Sequence, residues 1–204
     1  MENKNLKKRF KKPLLTFITI ALLSSNATVK AQNQEHVQPS VEKSVFGAQA
    51  GLLGIWVNNE AKLTNAIALR SEIGFDGGFW GGSFYPKNGY VFTPIIAAEP
   101  RFYYNLSKRT RKNKSIKNNS ANFISLRTSF HPDWFTISNY EKVSIVSDLS
   151  IIPTWGIRRH IGNHFNYEAG LGVGYRYYFA KSAGYLKNES DVAVNLHLRI
   201  GYTF

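Results

Sequence analysis

Three side chains near the middle of the chain have the types that nucleophilic catalysis needs. Ser129, His131 and Asp133 occupy alternate positions around a His-Pro pair. A serine hydroxyl becomes a nucleophile when a histidine accepts its proton and a carboxylate orients that histidine. In an extended segment Ser129 and His131 share one face. The proline before Asp133 leaves the direction of that carboxylate open, and three polar residues of these types also recur by chance, so hydrolysis is one hypothesis among several.

A larger set of ionisable residues follows a period of two. Its members alternate with apolar residues, and acids and bases are equal in number. The set is Arg70, Glu72, Asp76, Glu99, Arg101, Arg127, Asp148, Arg158, Glu168, Arg176, Asp191 and Arg199. Buried charges are tolerated when they are paired and hydrogen-bonded, so this set predicts an ion-pair network. A charge-lined channel is the alternative.

Metal and cofactor chemistry find little support in the sequence. Cysteine is absent, which excludes disulfides, thiolate metal sites and a cysteine nucleophile. The spacing of His160, His164 and His197 does not match a metal-ligand cluster, and His197 is expected to be a hydrogen-bonded interior group. Neither a metal nor a cofactor is therefore expected.

Positive charge is concentrated in one loop, LSKRTRKNKSIKNNS. Its basic residues are Lys108, Arg109, Arg111, Lys112, Lys114 and Lys117. Such a loop is either simply solvated or binds an acidic partner, because clustered cations attract polyanions. Nucleic acid is not expected as a partner, because the run has no aromatic residues that could stack on bases. The net charge of +13 is also weak evidence for it, since seven of the basic residues lie in residues 1–31.

The N-terminus has the three zones of a secretory signal peptide. A basic stretch, KNLKKRFKK, precedes the apolar run PLLTFITIALL, and small residues follow up to Ala31. The apolar run is shorter than the roughly 20 residues that a membrane-spanning helix needs, which disfavours an anchor. Residues 1–31 are thus predicted to be a signal peptide, 32–43 a polar linker or an extra N-terminal strand, and 44–204 the folded domain.

The domain is predicted to be all-β and antiparallel. Period-two segments alternate with turn-forming clusters such as Asp76-Gly77-Gly78 and Gly162-Asn163. Seven strands are predicted, at 45–57, 65–76, 89–104, 121–131, 144–159, 165–179 and 191–204. An even number is expected in a closed bacterial barrel, so an eighth is sought in 32–43 or in a split of 121–141.

Either face of these strands could point inward. A soluble sandwich or barrel would bury the apolar face, whereas a membrane barrel would bury the charged one. The large aromatics of FNYEAGLGVGYRYYF would overfill a narrow interior, and Gly170, Gly172 and Gly174 on the charged face would leave room there for long charged side chains. Aromatics also cluster at the ends of the apolar faces, where lipid meets headgroups. The apolar face is therefore predicted to point outward.

The last strand carries a family resemblance. LHLRIGYTF alternates Leu196, Leu198, Ile200, Tyr202 and Phe204, and resembles the terminal signal of outer-membrane β-barrels. The stretches LTNAIALRSEIGF and HFNYEAGLGVGYRYYF resemble strands of small barrels of the OmpA and OmpX kind. The run from PRFYYNLSKR to NYEAGLGVGYR resembles an outer-membrane barrel group common in Bacteroidota. The resemblance covers roughly residues 44–204.

This resemblance implies an eight-stranded, up-and-down transmembrane β-barrel in the outer membrane of a Gram-negative bacterium. Tyr202 and Phe204 would then form the signal read by the barrel-insertion machinery. The expected protein is a monomer with a closed, ion-paired lumen and a structural or surface-interaction role: envelope integrity, lipopolysaccharide contact or adhesion. Acidic envelope partners such as lipopolysaccharide phosphates would then be the candidates for binding the basic loop. The alternatives are a lipid A deacylase or acyltransferase that uses Ser129, His131 and Asp133, or a narrow pore.

Overall fold

The computed structural model describes residues 38–141 and 143–204. The predicted signal peptide, and residues 32–37 of the predicted linker, lie outside the described residues. In the described part, no helix has the length and apolarity needed to cross a membrane.

Strands dominate the described chain, in agreement with the predicted all-β class. They are β1 (Ser44–Gly51), β2 (Gly54–Lys62), β3 (Ile67–Trp80), β4 (Gly89–Tyr103), β5 (Asn122–His131), β6 (Ile137–Ser138), β7 (Asp148–Ile161), β8 (Phe165–Tyr178) and β9 (Glu189–Thr203). One short helix, α1 (Leu106–Arg111), and two 3-10 turns, Lys117–Asn119 and Ala180–Ala183, interrupt the connections.

Eight of these strands close into a ring, and every pairing is antiparallel. Their order is β3-β2-β1-β9-β8-β7-β5-β4, and β3 pairs with β4 to complete the circuit. The ninth strand, β6, has only two residues, which pair with Val91 and Phe92 of β4 outside this circuit. The prediction of an antiparallel sheet is confirmed.

The eighth strand lies where it was not sought. The segment predicted as one strand over 45–57 is a hairpin, in which β1 turns into β2 at Leu52-Leu53 and Gly51 pairs with Gly54. Two leucines carry no turn chemistry, so the apolar run hid the reversal. Gly54 has a φ of +148°, a conformation that side-chain-bearing residues rarely adopt. Residues 38–43 form no strand, and β6 at 137–138 contributes only two residues.

The ring has two ends, which differ in their connections. The end near Ser44 and Thr203, here called the termini end, carries the turns at 63–66 and 162–164 and the basic loop between β4 and β5. The other end, here called the loop end, carries the Leu52-Leu53 turn and the longer segments 81–88, 132–147 and 179–188. Because successive strands of the ring run in opposite directions, β1 begins and β9 finishes at this same termini end.

Side chains divide between the inside and the outside of the ring in the opposite sense to a water-soluble domain. Arg70 and Arg101 inside are 1% and 0% exposed, whereas Val192 and Ile200 outside are each 67% exposed. The alternation continues along the strands because successive residues point to opposite faces. Polar and charged groups therefore fill the interior, and apolar groups cover the wall.

The termini end is closed by the chain itself. Val41, Leu106 and Phe123 are buried there, with Tyr103, Ala68 and Ala121 in the same apolar cluster. The Asn119 side chain donates to Glu60 at 2.9 Å and accepts from the backbone N–H of Glu42 at 2.8 Å. Residues 38–43 and the β4–β5 loop thus fold into the opening of the ring. This part of the predicted linker is therefore packed against the ring and is not a free connection.

The three glycines of β8 have a different role from the one expected. A Cβ at Gly170 would lie 2.8 Å from the Trp155 carbonyl oxygen, and one at Gly172 would lie 2.5 Å from that of Pro153. At Gly174 the obstacle is the Ile151 carbonyl. The close approach of the β7 backbone therefore excludes a side chain at these positions, rather than a need to admit long charged groups.

Gly174→Ala is expected to lower the free energy of unfolding by about 1–3 kcal/mol, because the added methyl overpacks β7 against β8. Urea unfolding of the purified protein measures the change. Gly78→Ala is the matched control, since its Cβ would meet only Val91 Cγ1 at an ordinary 3.4 Å. Equal stability of the two variants would contradict the close approach.

Candidate functional site: the charged interior

The interior of the ring contains a network of ion pairs, here called the central cluster. It consists of five guanidinium groups and four carboxylates, all buried. Its members are Arg70, Arg101, Arg127, Arg158, Arg199, Glu60, Glu72, Glu99 and Glu168. One positive charge is left over. The pairs link seven of the eight ring strands, all except β1, which contributes the uncharged side chain of Gln49.

Two carboxylates hold the half of the cluster nearer the termini end. Glu60 Oε1 accepts from Arg158 at 2.8 Å and from Arg101 at 3.0 Å. Glu168 accepts from the same two arginines at 2.8 and 3.0 Å, and its Oε2 lies 2.7 Å from His197 Nε2. Each carboxylate therefore bridges several guanidinium groups that would otherwise repel one another.

The other half of the cluster is organised by Glu72. It binds Arg70 at 2.8 Å and Arg127 at 2.7 Å, and it also accepts from Arg199. Two aromatic rings support the guanidinium planes: Arg199 lies 3.7 Å from the centroid of Trp56, and Arg101 lies 4.2 Å from that of Phe123. These stacks hold the cations in place without using their hydrogen-bond donors.

A second group of charges lies toward the loop end. His131 Nδ1 is 3.1 Å from Asp148, and Nε2 is 3.1 Å from Asp76. A ring nitrogen must donate to a carboxylate, so the imidazolium is the form that satisfies both contacts. Arg176 lies 3.3 Å from Asp148. The group Asp76, His131, Asp148 and Arg176 is here called the upper cluster.

Eleven of the twelve residues in the predicted set form ion pairs in the structure. Asp191 does not. It lies in register with Arg176, but its side chain is exposed and accepts from the backbone N–H of Val192. Asp191 lies near the start of β9, where its exposed carboxylate has no need of an interior partner.

Glu60 is the main residue that sequence reasoning missed. It was assigned to no strand, because the polar run NNEAK looked like a connection after the predicted strand 45–57. The usable signal was the alternation Trp56, Asn58, Glu60, which continues the buried face of β2. Gln49, Tyr103 and His197 also join the network, through hydrogen bonds to its carboxylates.

The candidate catalytic group does not assemble. Both ring nitrogens of His131 face carboxylates of the upper cluster. Among the described residues, neither Ser129 nor Asp133 hydrogen-bonds to His131, and the backbone N–H of Asp133 donates to Ser147 instead. Although Ser129 and His131 share the interior face, the histidine has no free nitrogen to accept a serine proton.

The basic loop lies at the termini end and is partly helical, although no helix was predicted. Lys108, Arg109 and Arg111 lie on α1, which has no acidic residue in its first turn. Lys112, Lys114 and Lys117 follow, all exposed. Arg109 is half-buried, and its guanidinium donates twice to the Ser115 carbonyl, at 2.7 and 3.1 Å. Five of the six charges are therefore open to an external partner.

The C-terminal aromatics lie on the outside of the ring. Tyr202 and Phe204 pack against each other at 5.3 Å between ring centroids, and extend the contact to Phe165 and Phe46. His164 stacks on Tyr202 at 5.1 Å. These rings form an exposed aromatic patch at the termini end.

A cavity of about 580 Å³ lies beside both clusters at the loop end, lined by Arg127, Arg176, Arg199 and His131 among others. Over residues 38–141 and 143–204, no group of three acidic or histidine side chains has the geometry to hold a metal ion. The chain matches no family model, no curated protein and no solved structure. The resemblance to small outer-membrane barrels thus stays a prediction.

Proposed function

We propose that the ring is a transmembrane β-barrel of the outer membrane with a closed lumen and a structural or surface-interaction role. The observation that carries this proposal is the polarity of the wall. Side chains such as Leu171, Val194 and Ile200 are more than half exposed around the ring, whereas the buried interior is charged. Water would penalise so large an apolar surface, and acyl chains would favour it.

The ion-paired interior favours a closed lumen over a pore. Arg101 of β4 reaches Glu168 of β8 across the ring at 3.0 Å, and Arg158 of β7 reaches Glu60 of β2 at 2.8 Å. These side chains occupy the path that ions would take. An eight-stranded barrel has little more space than its own side chains fill. We expect the purified protein in planar bilayers to show no stable single-channel conductance, and a reproducible conductance step would favour the narrow pore.

The enzyme alternative lacks an assembled nucleophile, because His131 is engaged by two carboxylates. Unaltered lipid A acylation in cells that express the protein is the expected result. Loss of acyl chains that depends on His131 would contradict it.

The connections suggest an orientation for the barrel. Membrane barrels have short periplasmic turns and longer extracellular loops. The turns at 63–66 and 162–164 are short and share the termini end, which we therefore place in the periplasm. This orientation puts the basic loop against the inner leaflet and its phosphates. Lipopolysaccharide contact would then fall to the loop end rather than to Lys108–Lys117.

Single-cysteine labelling tests the orientation directly, because the chain has no cysteine of its own. Lys187→Cys, at the loop end, is expected to react with a membrane-impermeant maleimide on intact cells. Lys112→Cys, in the basic loop, is expected to react only after the outer membrane is broken. Both lysines are exposed, so each is a control for the other. The reverse labelling pattern would invert the barrel and return lipopolysaccharide contact to the basic loop.

Vesicle flotation tests the proposal as a whole. The chain without residues 1–31 is expected to remain with phosphatidylcholine vesicles on a density gradient, including after a high-salt wash. A species that stays monomeric in detergent-free buffer and does not associate with vesicles would overturn the membrane assignment.

A further inference from the structure

The wall of the ring is incomplete at the loop end. The β1–β2 hairpin stops at Leu52-Leu53, but both of its neighbours continue. β9 pairs with β1 only from Arg199 to Thr203, so Glu189–Leu198 have no partner on that side among the described strands. β3 extends past its last β2 partner, Asp76, to Trp80. Beyond the short hairpin, a notch separates β9 from β3. Three strand spacings of 4.7–4.9 Å make it about 14 Å wide.

The notch connects the outside of the wall with the cavity beside the charge clusters. The cavity of about 580 Å³ is bounded by Arg127, Arg199 and His131 from the interior. It is also bounded by Val194, Leu196 and Leu198, whose side chains are exposed on the outer face. A cavity that touches both faces of β9 opens sideways through the wall. In the proposed membrane, its mouth faces lipid.

The chemistry of this passage changes along its length. Leu52, Leu53 and Leu196 form an apolar mouth, and three arginines lie behind it. Among the described residues, Arg127 Nη1 is buried without a hydrogen-bond partner, and Glu99 Oε2 lies 3.7 Å from it. The central cluster also has one guanidinium more than it has carboxylates. A donor and a positive charge are thus left for an anion.

The edge of β9 gives a second reason to expect a polar group in the notch. Within residues 38–141 and 143–204, no strand pairs with the backbone groups of Glu189–Leu198 that point away from β8. Unpaired backbone groups are strongly disfavoured in contact with hydrocarbon. Acyl chains alone would leave these groups unsatisfied, whereas a hydrated headgroup in the notch can hydrogen-bond to them.

We propose that the notch admits a membrane amphiphile whose anionic headgroup binds in the cavity at Arg127, Arg176 and Arg199. Its acyl chain lies in the mouth, against Leu196 and the Leu52-Leu53 turn. Phosphate and carboxylate headgroups share the chemistry that these arginines recognise. This inference rests on the proposed membrane location, because only a lipid-facing mouth can supply the amphiphile.

Native mass spectrometry of the barrel, released from dodecyl maltoside micelles, tests the proposal with decyl phosphate as the probe. We expect one decyl phosphate per barrel. Arg176→Gln is expected to weaken binding about tenfold through the loss of one charge-assisted contact. Arg159→Gln, which makes the same charge change at the termini end, is expected to bind like the parent. Arg176 is chosen over Arg127 because its side chain is only partly buried. Arg176→Gln is therefore expected to fold even if the corresponding change at Arg127 does not.

Two further arms locate the passage. Inorganic phosphate and decyltrimethylammonium are expected to bind at least about tenfold more weakly than decyl phosphate, since each lacks one half of the recognised chemistry. Leu196→Trp, at the mouth, is expected to block decyl phosphate. Leu171→Trp, its outward-facing partner on β8, is expected to leave binding unchanged.

Several outcomes would overturn the proposal. They are the absence of an adduct on the folded barrel, equal binding by inorganic phosphate, equal binding by the two arginine variants, or equal binding by the two tryptophan variants. Vesicle flotation of the same preparations separates the two proposals. A barrel that floats but binds no amphiphile contradicts only this inference, whereas one that does not float contradicts the proposed function.

Discussion

Glu168→Gln is expected to lower the free energy of unfolding by about 3–5 kcal/mol, the cost of breaking a buried ion pair by removing one partner. The amide keeps the shape of the side chain but removes its charge. Arg70, Arg101 and Arg158 would then share Glu60 as their common carboxylate. Urea unfolding of the refolded barrel in detergent micelles, followed by tryptophan fluorescence, measures the loss.

Asp191→Asn provides the control for this substitution. It removes the same charge from a carboxylate that is exposed and outside the ion-pair network. Surface substitutions of this kind change stability by about 0.5 kcal/mol or less. An equal loss of stability in the two variants would show that the buried ion pairs contribute no more to the free energy of unfolding than an exposed carboxylate does.

Leu171→Arg is expected to destabilise the barrel in phosphatidylcholine vesicles by about 2–4 kcal/mol, the cost of a cationic side chain at the middle of a lipid-facing strand. Leu171 lies midway along β8 and is 57% exposed on the outer wall. A protein that presented this surface to water would gain solubility from the same change. Guanidinium unfolding of the vesicle-inserted protein gives the measurement.

Leu186→Arg makes the same substitution in the connection between β8 and β9, where the side chain is 98% exposed. It is expected to leave the unfolding curve unchanged, because that segment lies beyond the strands. Equal effects at Leu171 and Leu186 would argue that the wall does not contact hydrocarbon.

Alternation in the sequence predicted most of the charged residues that lie inside, although it placed Asp191 there wrongly and missed Glu60. Along β3, Arg70 and Glu72 lie on the face opposite to Leu69 and Ile73, and the structure buries both charges. Successive side chains of a strand point to opposite faces, so one residue whose face is known fixes the face of every other residue in that strand. Equal numbers of acids and bases on that face then indicated ion pairs, though the partners of each residue could not be read from the sequence.

What the sequence could not supply depends on pairing between strands. The Leu52-Leu53 turn has no local signature, and the reversal is visible only because Gly51 pairs with Gly54 and β2 then pairs with β3. Glu60 was missed because the unrecognised turn left it outside the predicted strand 45–57, although the alternation Trp56, Asn58, Glu60 would have indicated its inward face. The notch is still less accessible, since it arises from the different lengths of β1, β3 and β9, which no single segment encodes.

The long reach of the ion pairs constrains how the chain can assemble. Arg199 meets Glu72 across 127 residues, and Arg158 meets Glu60 across 98. The β1–β2 hairpin brings an acid to the interior without a base, so it cannot neutralise itself. A β1–β2 hairpin that entered a bilayer alone would carry the unpaired charge of Glu60 into hydrocarbon, whereas β7–β8 brings Arg158 and Glu168 together. If the ring spans a membrane as proposed, we expect the circuit to close before or during entry, in one concerted event with few half-inserted intermediates.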